Sequence, residues 1–454
     1  MKVLVTGATG LVGKKLARSL VNNGHSVSVL TRDTESARKR LPLTCEFHKW
    51  EPELYPPSSQ AFDGVDAVIH LAGENIADGR WTSKRKKTIK NSRVLSTRNL
   101  VSTLKSISTP PDVFISASAI GFYGKDRPVE LYEGLNPGKD FLADVCKEWE
   151  HEAIAAQDHN VRTIALRIGI VLGYEGGAMK KMLPPFWAGA GGNLGDGNQW
   201  MSWIHVNDLV GMIIHGLENN SIQGAYNATS PDPVTNRTFT KCLAKSLGRP
   251  ALIPVPKFAL KLILGEVSEL LLGSLKVSSM KIIESGYKFM FPDLQSALND
   301  ICKNSANEFV AEHWLPLPID KVFAFFKEPE NLEKITPAYL NFKVLNQSSG
   351  AIGEGTKINY RLRLHGIPMW WQSKIVDWTP NQKFSDIQIR GPYNHWYHTH
   401  EFKEKGGGTL IRDHIKYKLP LGIPGDCLAG SWVQKDLENI FDYRRKRIEE
   451  IFKG

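Results

Sequence analysis

Three glycines at a spacing of three, Gly7-x-x-Gly10-x-x-Gly13, lie between an apolar run (Val3 to Val5) and a helical pattern that continues from Leu11 to Leu20. Strand, glycine turn and helix in that order suit a dinucleotide pyrophosphate. Glycine lets backbone N–H groups come close to phosphate, and the helix N-terminus supplies partial positive charge. The candidate contacts are Gly7, Thr9, Gly10, Leu11, Val12 and Gly13. The spacing departs from the simplest Gly-x-Gly-x-x-Gly fingerprint, and an ordinary tight turn also uses glycine. The context decides: a second apolar strand, His25 to Leu30, completes a β-α-β unit.

Thr31-Arg32-Asp33 follows that second strand. An acidic residue at its end would hold a ribose 2′-hydroxyl, whereas a guanidinium makes paired, charge-assisted bonds to a 2′-phosphate. With Thr31 and Arg32 at the strand end, NADP(H) is expected over NAD(H); Asp33 argues the other way. Two more strands end in small-residue turns. Val65 to His70 runs into Leu71-Ala72-Gly73, and Val113 to Ala117 opens into Ser118-Ala119-Ile120-Gly121-Phe122-Tyr123-Gly124.

The elements that must position these residues alternate strand and helix over the first 300 positions, which predicts an α/β fold with a Rossmann-like, doubly wound parallel sheet. Ligands in such sheets sit at the carboxyl ends of the strands, where the glycines, Arg32 and Ser118 fall. The whole chain has 454 residues, enough for two or three domains. Five scattered cysteines without C-x-x-C spacing argue against disulfides and zinc and for a reducing cytoplasm. No apolar run reaches a membrane span, and no signal-peptide pattern is present. The net charge of +10 comes from dispersed lysines and arginines whose densest runs lie on helical patterns, so solvated helix faces explain it better than nucleic acid.

Further motifs occur in a set order: His70-Leu71-Ala72-Gly73-Glu74-Asn75-Ile76 with Arg80-Trp81, Ser92-Arg93, Leu166-Arg167-Ile168-Gly169, Gly176-Gly177-Ala178, and Trp200-Met201-Ser202-Trp203-Ile204-His205. With the glycine turn and the Ser118 segment, they resemble the atypical "epimerase family" branch of the extended short-chain dehydrogenase/reductases, the NAD(P)-dependent epimerase/dehydratases. The resemblance covers residues 1–302. It implies that Leu71, Ala72, Gly73, Thr88, Arg93 and Arg167 face the cofactor along with the turn residues, Thr31 and Arg32. It also implies a small substrate-side subdomain after Thr238.

One departure bears on chemistry. The wider superfamily moves protons with a tyrosine and a lysine four residues on. The corresponding stretch here, Asp140 to Glu150, has no tyrosine, and Lys147 stands at no such offset. Ser118 and Tyr123 are the candidate catalytic substitutes. Against that, Ser-Ala-x-Gly also makes a close-approach turn, and a buried tyrosine also serves packing. His205 and Asp208 read as structural. The segment Gly189 to Gly197, with five glycines, is expected to be a mobile loop over the site.

After a polar stretch at 303–307, read as a linker, the pattern changes to strands. Ile358, Tyr360, Leu362 and Leu364 share one face and Lys357, Asn359, Arg361 and Arg363 the other, a sheet wet on one side. A last helix repeats Leu437, Ile440, Phe441, Ile448 and Ile451 at helical spacing. Pro318-Ile319-Asp320-Lys321-Val322-Phe323 and Glu330-Asn331-Leu332-Glu333 resemble the opening of the START-like, polyketide-cyclase helix-grip fold, over 308–454. That resemblance implies an apolar small-molecule ligand. His398 and His400 share a strand face, but no carboxylate or cysteine joins them in sequence, so no metal is expected. Asp413 reads as a buried acid, either a polar anchor for a ligand or hydrogen-bonded within the structure.

Two functions remain open from the sequence. One is an NADP(H)-dependent oxidoreductase or epimerase acting on a small-molecule substrate. The other is a non-catalytic cofactor sensor with a ligand-binding module.

Overall fold

The computed structural model describes residues 1–304 and 306–453. Ser305, inside the expected linker, and Gly454 lie outside the described residues, as do the side chains of Asn304, Ile423, Cys427 and Lys453. The chain divides into two compact units, 1–34 with 45–305, and 35–44 with 306–454.

The first unit is built on β1 (Lys2–Thr6), β2 (Ser26–Thr31), β3 (Glu46–Lys49), β4 (Ala67–His70), β5 (Val113–Ala119), β6 (Arg162–Ile168) and β7 (Gly224–Ala228). They form one sheet in the order β7-β6-β5-β4-β1-β2-β3, parallel throughout. Strand order reverses between β1 and β4, which opens a crevice at their carboxyl ends. Val3, Leu4 and Val5 are fully buried, as continuous apolar strands covered on both faces must be. Helices α1 (Leu11–Asn22), α3 (Ser83–Ser106), α4 (Phe141–Ile154), α5 (Val206–Glu218) and α6 (Lys257–Leu264) belong to this unit, whereas α2 (Thr34–Arg40) falls, apart from Thr34, within the second. Side-chain caps set several starts: Thr82 accepts from Arg85 N at α3, and Asp140 from Ala143 N at α4.

The glycine-rich segment expected to move is paired along its length. Ile253 N donates to Gly191 O, Val255 N to Asn193 O, and Gly195 N back to Val255 O. Leu194 N donates to Asn236 Oδ1, and Lys257 pairs with Asp196. Its glycines serve close approach; a Cβ on Gly192 would lie 1.8 Å from Ile253 O.

The second unit is a seven-stranded antiparallel sheet of β8 (Asn307–Leu315), β9 (Lys343–Gln347), β10 (Lys357–Leu364), β11 (Ile367–Thr379), β12 (Lys383–Arg390), β13 (His395–Lys405) and β14 (Gly408–Lys418). The order is β8-β14-β13-β12-β11-β10-β9. Short helices α7 (Ile319–Phe326) and α8 (Pro329–Lys334) follow β8, and α9 (Ile423–Lys453) closes the chain. On α9, Leu437 and Phe441 pack with Phe309, Ile415 and Tyr417, while Ile448 joins Phe323 and Ile358. One helix laid over a meander gives the helix-grip architecture that the resemblance implied.

Candidate functional site

The turn after β1 has the geometry its glycines require. Gly7 takes φ +69°, and a Cβ there would come within 2.8 Å of Leu71 O and 2.9 Å of Ala72 N. A Cβ on Gly13 would lie 2.2 Å from Gly7 O. The turn closes through Gly10 N to Gly7 O at 3.0 Å, and Gly10 caps α1 with no side-chain hydrogen bond. The first-turn N–H groups of a helix have no partner within it, so this uncapped end is suited to an anion. Leu11 packs its side chain against Gly177, at 3.1 Å from the position of a Cβ there.

The facing turn after β4 is held from below. His70 is fully buried, with Nδ1 2.7 Å from Thr6 Oγ1 and Nε2 3.3 Å from Ser96 Oγ. Burial, helped by nearby Arg93, lowers its pKa to about 3, so the ring is neutral. Thr6 Oγ1 also accepts from Ala72 N. One imidazole thus ties the ends of β1 and β4 to α3. Arg93, expected to face the cofactor, is largely buried and donates to Glu74 O and Ile89 O. Its guanidinium carbon would be 3.2 Å from a Cβ on Gly73, so the glycine makes room for the arginine. Thr88 sits half-buried on α3 and donates to Lys84 O. Arg32 is exposed past β2 and makes no ion pair among the described residues; Thr31 Oγ1 bonds within the turn, with Asp33 N and O.

Ser118, Tyr123 and Arg167 come together around an acid that the sequence reading did not single out, Glu150 on α4. Arg167 grips Glu150 at both carboxylate oxygens, Nε to Oε1 and Nη2 to Oε2 at 2.9 Å each. Ser118 Oγ donates to Glu150 Oε1 at 2.6 Å. Arg167 Nη1 donates to Tyr123 OH at 3.0 Å and to Glu133 O, and the guanidinium lies 3.5 Å over the Phe122 ring. Tyr123 OH donates to Asn227 Oδ1 at 2.7 Å. Every nitrogen of Arg167 has a partner within the protein. Burial raises the Tyr123 pKa against the opposing pull of Arg167. Its hydroxyl is therefore a fixed, neutral member of the network. Glu150 left no local signal, because its partners arrive from β5 and β6.

His205 and Asp208 are structural, as read from the sequence. His205 Nδ1 accepts from Asn207 N at the start of α5. Asp208 accepts from Met290 N at 2.6 Å and Phe291 N at 3.0 Å. Arg80 reaches α6, donating to Leu262 O at 2.6 Å.

In the second unit, strand register gathers what the linear sequence kept apart. Asp386 on β12 stands opposite His398, and Asp413 on β14 opposite His400. The expectation that no carboxylate joins the histidines is thereby corrected: two do, from the neighbouring strands. Burial lowers the His398 pKa to about 3, reinforced by His400. Burial opposes ionisation of Asp413, yet the facing His400 and His398 hold its carboxyl well below the usual range. A separate cleft of about 380 Å³ is lined by Phe323, Ile352 and Trp378 with Asp320, Lys327 and Asn381.

Comparison with known proteins agrees with both units. Residues 3–228 match the NAD dependent epimerase/dehydratase family, 255–301 a domain of unknown function (DUF1731), and 315–439 the polyketide cyclase/dehydrase and lipid transport family. The chain is 39% identical over 310 residues to the epimerase family protein SDR39U1 homolog, chloroplastic, of Arabidopsis thaliana, covering 66% of this chain and 86% of that protein. It is 36% identical to the epimerase family protein YfhF of Bacillus subtilis, over 66% of this chain and 98% of that one. Among solved structures, the human epimerase family protein SDR39U1 (isoform 2) with NADPH matches at 32% identity and TM-score 0.60, covering 67% of this chain and all of that one. No described helix is long and apolar enough to cross a membrane.

Proposed function

We propose, from the premise that this chain belongs to the NAD dependent epimerase/dehydratase family, that its first unit binds a nicotinamide dinucleotide across the β1–β4 crevice and prefers NADP(H) to NAD(H). The observation that carries this reading is the uncapped α1 N-terminus behind a glycine turn in which Gly7 and Gly13 leave no room for a Cβ. Thr9, Gly10, Leu11 and Val12 would line the pyrophosphate, Leu71, Ala72 and Gly73 the facing wall, and Thr88 the α3 side. Arg32, exposed beyond β2, would take the 2′-phosphate, a form of cofactor also held by the human relative. Arg93 and Arg167 would position the site from beneath. The cofactor would serve redox chemistry on a small molecule bound near the carboxyl ends of β5 and β6.

A second reading, cofactor sensing without turnover, draws on one observation: the hydroxyls of Ser118 and Tyr123 are both committed to buried partners. Hydride exchange from NADPH to a panel of small carbonyl compounds separates the two. Turnover that is lost in S118A supports the oxidoreductase; tight NADPH binding with no turnover across the panel supports the sensor. The second unit would hold an apolar ligand, for which the cleft beside Phe323 and Trp378 offers room. Among the described residues the cysteines Cys45, Cys146, Cys242 and Cys302 are free, which suits a reducing compartment such as the cytoplasm.

A further inference from the structure

The two histidines of β13 lie between two carboxylates. His398 Nε2 is 3.0 Å from Asp413 Oδ1, and His400 Nδ1 lies 2.7 Å from the same oxygen, off the line of a well-aligned hydrogen bond. The other ring nitrogens point to the opposite side. His398 Nδ1 is 3.8 Å and His400 Nε2 4.0 Å from Asp386 Oδ1. The rings are 3.9 Å apart, and His400 also stacks on Phe384 at 4.3 Å. The strands on either side and the stacked rings therefore hold the imidazoles in place.

The protons follow from this geometry. A carboxylate only accepts, so the nitrogens facing Asp413 carry the N–H and the nitrogens facing Asp386 present lone pairs. Two imidazole lone pairs and a carboxylate oxygen then face one another. Asp386, His398 and His400 each offer a ligand atom, and these atoms lie within 4.8 Å of one another. Acceptors arranged in this way are suited to a cation at their centre. Asp413 meanwhile fixes both tautomers from behind, as carboxylates do for metal-bound histidines.

We propose that Asp386, His398 Nδ1 and His400 Nε2 bind a divalent transition-metal cation of the zinc type, with Asp413 as the residue that orients both imidazoles. Bonds of about 2.0–2.2 Å to nitrogen and oxygen imply ligand separations of about 3.3 Å in a tetrahedral site. The 3.8 Å and 4.0 Å edges to Asp386 need a contraction of roughly half an ångström to meet it, and the edge between the two imidazoles must close to the same length. Three protein ligands leave a position open for water or an exogenous group. Arg444 on α9 sits with Nη1 3.7 Å from Asp413 Oδ1 and balances that carboxylate, so the ligand carboxylate Asp386 remains to offset the metal. Its Nε and Nη1 are buried without hydrogen-bond partners among the described residues. Two imidazoles with one carboxylate suit zinc or a first-row neighbour better than calcium or magnesium, which favour all-oxygen shells.

The test uses the full chain, stripped with chelator and titrated calorimetrically with Zn2+, and separately with Co2+ while its visible d–d bands are recorded. The proposal expects one strong equivalent per chain and a cobalt spectrum without thiolate charge transfer. It expects H400A and D386A to lose that equivalent, with affinity falling at least a hundredfold, and D413N to weaken it tenfold to a hundredfold while keeping the stoichiometry. Near-ultraviolet circular dichroism of the same variants, which reads the packed tryptophans and tyrosines of the second unit, checks that this unit remains folded. Should a variant fail to fold, the wild-type titration still decides. Absence of a strong Zn2+ equivalent in the wild type overturns the proposal. So does a thiolate band in the cobalt spectrum, or unchanged affinity in a folded D386A.

Discussion

Arg167 and Glu150 form a two-point ion pair beneath the carboxyl ends of β5 and β6, with both side chains more than nine-tenths buried. Removing one partner from such a pair leaves a stranded charge, at a cost of about 3–5 kcal/mol. R167M and E150A should each lower stability by about that much in urea titration, and Ser118 loses its acceptor in E150A. The double variant E150L/R167M should recover most of the loss, because two neutral groups bury more easily than one charge. A double variant as unstable as the singles would contradict this.

Tyr123 carries its hydroxyl between Asn227 and Arg167 rather than toward open space. Y123F should destabilise the protein by about 1–3 kcal/mol, the range for stranding buried polar partners. NADPH affinity should stay within twofold of wild type by fluorescence titration. A large affinity loss with unchanged stability would mean that the hydroxyl meets the cofactor.

Gly13 is the tightest point of the turn, where a Cβ would fall 2.2 Å from Gly7 O. That contact is with backbone, which cannot swing aside as a flexible side chain would. G13A should abolish measurable dinucleotide binding even where circular dichroism shows the fold retained. G24A, where φ is +82° but nothing lies within 4 Å of a Cβ, should cost only about 1–2 kcal/mol in stability and leave binding intact.

The neutral buried histidines give the stability a pH dependence of definite sign. Burial holds His70 and His205 at about 3, against about 6.5 in the unfolded chain. Above pH 6.5 neither state binds the proton and the full stability is present. Between pH 6.5 and 3 the unfolded state takes up protons that the native state does not, so stability falls with acid. Each histidine contributes up to about 1.4 kcal/mol per pH unit in that window. H70N should unfold with a shallower pH dependence between 4 and 6 than wild type; an unchanged slope would show that His70 is protonated in the native protein.

What could be read from the residues depended on how local the cause was. Gly7 and Gly13 were legible because their neighbours in the chain state the requirement: a strand, a turn and a helix admit few other geometries. The alternation from Lys357 to Leu364 declared the second sheet in the same way. Glu150 was not legible, since its partners Ser118 and Arg167 come from two different strands. Asp386 and Asp413 became neighbours of His398 and His400 only through antiparallel register, which a period-two pattern does not specify. The segment Gly189 to Gly197 looked mobile from its composition, yet its glycines admit the Ile253–Val255 backbone at hydrogen-bonding distance.

The most direct measurement of the central claim is a paired calorimetric titration of wild type and R32A with NADPH and with NADH. The account predicts that wild type binds NADPH the more tightly. It predicts that R32A loses roughly 10- to 150-fold in NADPH affinity, the equivalent of about 1.5–3 kcal/mol for a hydrogen bond to a charged group. NADH affinity should be unchanged. Equal affinity of wild type for the two cofactors, or an equal loss of both in R32A, would contradict it.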